Sequence, residues 1–120
     1  MRSHKDLNVY KVSLELVTKI YVLTKQFPDD EKYGLISQIR RASISIPSNI
    51  AEGAARQSAK EFIRFLYMSL SSAAEVETQL DIASKLGFLK DNKEITDEIV
   101  YIKRMLIKLI ESLKNKVISE

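Results

Sequence analysis

Residues 58–87, SAKEFIRFLYMSLSSAAEVETQLDIASKLG, decide the fold class. They open on a capping box: Ser58 can accept a hydrogen bond from the amide of Glu61 while the Glu61 carboxylate reaches back to the amide of Ser58. Phe62, Phe65, Leu66, Ser69, Ala73, Val76, Leu80 and Ala83 follow at the three- and four-residue steps that line one side of an α-helix. Gly87 closes the run, because glycine takes the left-handed conformation that ends helices without steric cost. The spacing predicts a helix over 58–86 with one apolar face, which is stable only when other helices cover that face.

Those partners lie on either side. Downstream, Asp91 and Glu94 mark the start of a helix over about 92–116, and Ile95, Ile99, Ile102, Leu106, Leu109 and Leu113 repeat at alternating steps of four and three, as bundle packing requires. Its last residues, Lys116 to Glu120, are expected to fray. Upstream, Leu35, Ile39, Ala42, Ile46 and Ile50 form a stripe over about 31–55, with Asp29, Asp30 and Glu31 favourable at its positive end. Pro47 lies inside that stripe and cannot donate to the carbonyl of Ser43, so two readings stand: a helix kinked near Pro47, or a break with Pro47 opening a new helix. The first helix spans about 7–26, with Asp6 as N-cap and Pro28 beyond its end. It carries two adjacent apolar stripes, one with Tyr10, Leu14, Val17 and Tyr21, the other with Val9, Leu16, Ile20, Leu23 and Phe27.

Four long helices on short links run up and down beside one another, so the expected architecture is all-α, an antiparallel up-and-down four-helix bundle over a single domain, 1–120. With three Gly and two Pro in 120 residues the chain is loop-poor, which fits long regular segments. It has no cysteine, so disulfide and thiolate chemistry are excluded, and a cytoplasmic location is expected. The polar stretch Met1 to Asn8 has no apolar signal core, and no run reaches the roughly 18 apolar residues of a membrane span.

Catalytic and metal chemistry finds no footing in these residues. The sole imidazole is His4, ahead of the helices, so neither a Glu-x-x-His metal pair nor a Ser–His nucleophile can be built on them. Glu75 and Glu77, two residues apart, do not share a helix face. Gly34, Gly53 and Gly87 are isolated, which rules out a phosphate-cradling glycine loop. No catalytic residue, metal or cofactor is expected, and the protein is read as a non-enzyme.

What the sequence does offer is charge and small residues. Residues 1–64 hold 11 basic and 7 acidic side chains, residues 65–98 hold 3 and 7, and residues 99–120 hold 5 and 2, an alternation that suits self-association or an attraction for phosphates. Arg56, Lys60 and Arg64 follow at four-residue steps around the turn between the second and third helices, and with Arg40 and Arg41 they are the candidate contacts for RNA or DNA. The competing reading pairs these bases with Glu52, Glu61 and Glu75 in surface salt bridges. Lys103, Arg104, Lys108, Lys114 and Lys116 form a second basic run, and Tyr67 and Tyr101 are either base-stacking aromatics or packing residues. Val9, Leu16, Ile20 and Leu23, with Val100, Ile107 and Ile110, exceed the narrow core stripes and predict a homo-oligomer.

The stretch 38–53, QIRRASISIPSNIAEG, followed by Arg56, Ser58, Lys60-Glu61-Phe62, Arg64-Phe65-Leu66 and Glu75-Val-Glu-Thr-Gln-Leu80, is not generic bundle sequence. It resembles the bacterial four-helix-bundle family of 23S rRNA intervening sequence proteins over about residues 4–115. The resemblance implies a small cytoplasmic homopentamer with no established activity. Related bundles are accessory subunits of diversity-generating retroelements, which implies a reverse transcriptase and nucleic acid as partners. Ala54-Ala55 departs from the aromatic and Gly often found there. Within the motif, Ser45, Pro47, Asn49, Glu52 and Gly53 are read as structural: Ser45, Ser48 or Asn49 would serve the backbone freed at Pro47. The alternative makes Asn49 and Glu52 part of a recognition surface, and a second functional class, a protein-interaction adaptor without nucleic acid, stands beside the first.

Overall fold

A computed structural model of the chain describes residues 3–119, with the backbone alone at positions 6 and 119. A 3₁₀ turn at His4–Asp6 leads into α1 (Asn8–Thr24), a second 3₁₀ turn at Asp29–Glu31 into α2 (Leu35–Ala54), and α3 (Ala59–Lys85) and α4 (Lys93–Ser119) follow; the described residues include no strand. Contacts between α2 and α3, and between α3 and α4, run in opposite order along each pair. On α2 and α3, Gly53 lies against Phe62 and Phe65, Ile46 against Ser69, and Ser45 against Ser72. On α3 and α4, Glu77 meets Lys103 while Tyr67 meets Lys114. Thr24 and Tyr21 of α1 hold Arg40 of α2, and Lys19 of α1 meets Glu98 of α4. The contact between α1 and α4 closes the bundle and leaves α1 diagonal to α3. The result is a rod of 51 × 22 × 19 Å.

The core follows the stripes of α2, α3 and α4. Every residue of the predicted α3 stripe is buried, and so are Ile39, Ala42, Ile46 and Ile50 on α2 and Ile95, Ile99, Ile102 and Leu106 on α4. At the far end of α4 the buried position is Ile110, with Leu109 half-buried. A helix of 3.6 residues per turn drifts by about 20° per heptad against a four–three repeat, and by the third heptad the next residue faces inward. Buried hydroxyls are satisfied on backbone carbonyls: Ser13 donates to Tyr10, Thr24 to Ile20, Ser43 to Arg40 and Ser69 to Ile46.

α1 turns the other way from the simplest reading. Val9, Leu16 and Ile20 lie in the core with the buried Ser13 and Thr24 between them, while Leu14 is 43% exposed and Tyr21 faces solvent. Ile110 is buried as well, so of the residues expected as surplus only Ile107 is exposed, and Leu23 and Val100 are half-buried. The outer apolar stripe is therefore the Leu14–Tyr21 one. Two adjacent stripes on one helix are equivalent by periodicity, and the positions of α2 and α4 choose between them.

The helix ends also differ in part. α1 begins one residue after its N-cap Leu7, without a side-chain cap. Asp6, expected there, sits in the 3₁₀ turn, and its side chain lies outside the described residues, as do Met1, Arg2 and Glu120. α2 begins at Leu35 and not near 31, because Asp29–Glu31 form their own turn and Glu31 Oε1 accepts from the Leu35 amide at 3.0 Å. It continues unbroken through Pro47 to Ala54, which sets aside the reading with a new helix at Pro47. The capping box is half made: Ser58 Oγ accepts from the Glu61 amide at 3.1 Å, while the Glu61 carboxylate turns to Arg64. At the other end Gly87 has φ +79°, and the amides of Phe88 and Gly87 reach Ala83 and Ser84, a Schellman end. Asp91 Oδ1 accepts from the Lys93 amide, and α4 runs to Ser119, past the expected 116.

Candidate nucleic-acid interface

The turn from α2 to α3 is set by a glycine. A Cβ on Gly53 would stand 2.7 Å from Phe65 Cβ and 2.9 Å from Phe62 Cδ1, so only glycine lets the two helices approach this closely. The chain then reverses through Ala55–Ser58, with the Arg56 amide bonded to the Gly53 carbonyl. This delivers Arg56 beside the first turns of α3. Both guanidinium groups, of Arg56 and of Arg64, lie over the ring of Phe65 at 4.7 Å from its centroid. Phe65 is only 4% exposed, so its ring is a buried platform beneath two cations.

Arg64 is engaged by Glu61, Nε to Oε2 at 2.9 Å and a second nitrogen to Oε1 at 3.4 Å. The hydrogen bond from Arg64, and next its charge, hold the Glu61 carboxyl below the usual range, and Glu61 in turn raises Arg64. Lys60, in the first turn of α3, is exposed and has no ion pair among the described residues. Of the three carboxylates expected to neutralise this set, Glu61 alone does so. Glu75 accepts from Gln79, and Glu52 is exposed and unpaired among the described residues.

Arg40 and Arg41 are not part of this group. Twelve residues of helix separate Arg41 from Gly53, about 18 Å along the axis. Arg40 is a tie between α1 and α2: Nε donates to Thr24 Oγ1 at 2.9 Å, another nitrogen donates to the Tyr21 carbonyl at 3.2 Å, and the guanidinium lies over the Tyr21 ring. Arg41 is exposed nearby. On α4, Lys103 is paired with Glu77 at 3.0 Å, and Lys114 donates to the Tyr67 hydroxyl at 2.7 Å, while Arg104 and Lys108 are exposed.

Of the motif residues of α2, Ser45 and Asn49 make local contacts, whereas the side chain of Glu52, also read as structural, makes none among the described residues. The Asn49 amide nitrogen donates to the carbonyl and the hydroxyl of Ser45, both at 2.9 Å, and Ser69 adds a donor to the Ile46 carbonyl. Extra donors thus reach the two carbonyls just before Pro47, whereas the simple expectation concerned the carbonyl of Ser43. Sequence spacing brought Arg56, Lys60 and Arg64 together but missed Phe65 as their platform, since an aromatic on a core stripe looks like any other core residue. The bond between Tyr67 and Lys114, 47 residues apart, leaves no local signal.

Among the described residues no group of three or more His, Asp and Glu is arranged to hold a metal ion, and no helix is long and apolar enough to cross a membrane. The family model for the 23S rRNA-intervening sequence protein matches residues 5–108. Among solved structures, a protein with unknown function from the S23 ribosomal protein family of Bacteroides thetaiotaomicron is 29% identical, with a TM-score of 0.79 over 86% of this chain and 95% of that one. Comparison with curated proteins gave no match. With the match spanning α1 to α3 and most of α4, the chain belongs to the 23S rRNA-intervening sequence protein family.

Proposed function

We propose that the chain is a non-catalytic, cytoplasmic, self-associating helical scaffold that holds RNA or DNA by its phosphates through Arg56, Lys60 and Arg64. The observation that carries this reading is the convergence of two guanidinium groups on the Phe65 ring with an unpaired Lys60 beside them. The Arg56 guanidinium, lying over the ring, keeps its N–H edges for an anion, Arg64 keeps the terminal nitrogen that Glu61 does not engage, and Arg matches phosphate geometry better than any other side chain. Self-association is supported by the groove between α1 and α2, where Leu14, Tyr21 and Ile44 are all exposed. A ring of five copies, the assembly that family resemblance implies, would multiply a weak phosphate site by avidity.

The test is light scattering on the protein alone and with a single-stranded RNA at low and high salt. The expected mass is a multiple of the 13.7 kDa protomer that increases with RNA at low salt. Three phosphate contacts per protomer predict a roughly 20-fold loss of affinity between about 50 and 200 mM salt, and more for several protomers on one strand. Arg56→Glu with Lys60→Glu and Arg64→Glu abolishes the shift while leaving the mass of the free protein unchanged. An oligomer indifferent to RNA overturns the phosphate reading. It would favour the second one, an adaptor whose ring takes a protein such as a reverse transcriptase.

A further inference from the structure

Resting on the phosphate reading above, we infer that the nucleic acid is single-stranded and that Tyr67 stacks one of its bases. Lys60, Arg64 and Tyr67 stand at i, i+4 and i+7 on α3, and all three are exposed. They form one stripe, with Arg64 and Tyr67 about 4.5 Å apart along the helix axis. Tyr67 is 44% exposed, as Tyr21, Tyr33 and Tyr101 also are in part, and what sets it apart is its place on the stripe of Lys60 and Arg64.

Its surroundings explain how it is held. Lys114 Nζ lies 2.7 Å from the Tyr67 hydroxyl and 5.3 Å from the ring centroid. The longer distance is close to the reach of the hydroxyl from the ring centre plus the hydrogen bond, so the ammonium sits beyond the oxygen at the ring's edge. The tip is anchored and this cation covers neither face. The next positions of the stripe, Ser71, Ala74 and Thr78, are small and exposed, which leaves room for a flat group laid on the ring. Phe65, by contrast, is buried under Arg56 and Arg64 and is closed to a ligand. Tyr101 is exposed but stands on α4 beside Lys103, whose partner Glu77 is ten residues past Tyr67, about 15 Å along α3.

A duplex keeps its base faces stacked inside and offers this convex surface only phosphates, whereas a single strand offers both phosphates and an open base face. A cation, a cation and a ring on one stripe therefore select a single strand, with little preference among bases because every base has a π-face. The partner class is single-stranded RNA or DNA.

The chain contains no tryptophan, so Tyr67→Trp introduces one reporter at the stacking position. Its emission is titrated with a single-stranded RNA, the matching DNA strand, a duplex of equal length and inorganic polyphosphate. The expected result is quenching by the single strands, and binding of polyphosphate without quenching. Tyr67→Ala is expected to weaken single-strand binding about 5- to 150-fold while leaving polyphosphate affinity unchanged. Tyr67→Phe, which keeps the face and loses the bond to Lys114, retains most of the affinity. If single strands bind in a salt-dependent way with no quenching and no effect of Tyr67→Ala, stacking is refuted and the phosphate reading stands. If the wild-type protein retains neither strands nor polyphosphate, the phosphate reading fails and this inference falls with it.

Discussion

Gly53→Ala tests whether the α2–α3 turn depends on backbone proximity. Glycine within a helix is normally a weakness, and alanine at such a position gains about 1 kcal/mol of helix propensity. Here the new methyl would meet Phe65 Cβ at 2.7 Å, Phe62 Cδ1 at 2.9 Å and the Phe62 carbonyl oxygen at 3.3 Å. The Phe62 ring can swing aside. Phe65 Cβ is fixed to the backbone of α3 and yields only if the two helices separate until the contact reaches the ordinary 3.4 Å. Overpacking of this kind costs about 1–3 kcal/mol, and a clash with atoms that cannot rotate away belongs in the upper part of that range. After the propensity gain is subtracted, a net loss of about 1–2 kcal/mol remains. At an unfolding entropy of about 2.1 cal/mol/K per residue, a chain of this length loses about 4 °C in Tm per kcal/mol, so Tm falls by about 4–8 °C. Thermal unfolding followed by far-UV circular dichroism measures this directly. Phosphate binding should weaken too, because a displaced Phe65 moves the guanidinium groups of Arg56 and Arg64. A Tm equal to or above that of the parent refutes the close-approach reasoning, since only the propensity gain would then be acting.

Two further predictions concern polar groups. Asn49→Asp replaces the nitrogen that donates to the Ser45 carbonyl with an acceptor facing that carbonyl, and should cost about 1–3 kcal/mol in urea unfolding at neutral pH. The loss should shrink below the carboxylate range of about pH 4, where a protonated carboxyl donates again; an equal loss at both pH values would count against a donor role for Asn49. Glu61 should titrate below 4.5, because Arg64 stabilises its charged form in the folded state. A depressed folded pKa gives a contribution that is present above the unfolded value and is lost as pH falls through the folded one. The stability difference between the parent and Glu61→Gln should therefore vanish in acid. Carbon-13 NMR of the Glu61 carboxyl provides the midpoint, and a value at or above 4.5, unchanged by Arg64→Gln, would show that the pair does not form in solution.

The sequence by itself determined the class, the number of helices and the inner face of α2 and α3, with α4 as far as Leu106. Period and end signals are properties of one helix at a time, so Ser58 and Gly87 bracket α3 whatever it packs against. Relations between helices are a different matter. Which of the two α1 stripes points inward depends on where α2 and α4 stand, and the buried Ser13 and Thr24 disguise the true one as polar. The Gly53 contact is a distance between two backbones, and the sequence shows only an isolated glycine. Arg40 and Arg56 look like members of one basic set along the chain, yet about 20 Å of α2 lies between Arg40 and the turn that carries Arg56. Tyr67 acquires its anchor from a residue 47 positions away. Periodicity is carried by neighbours in the chain, whereas a site is carried by neighbours in space, and only the packed bundle decides which residues those are.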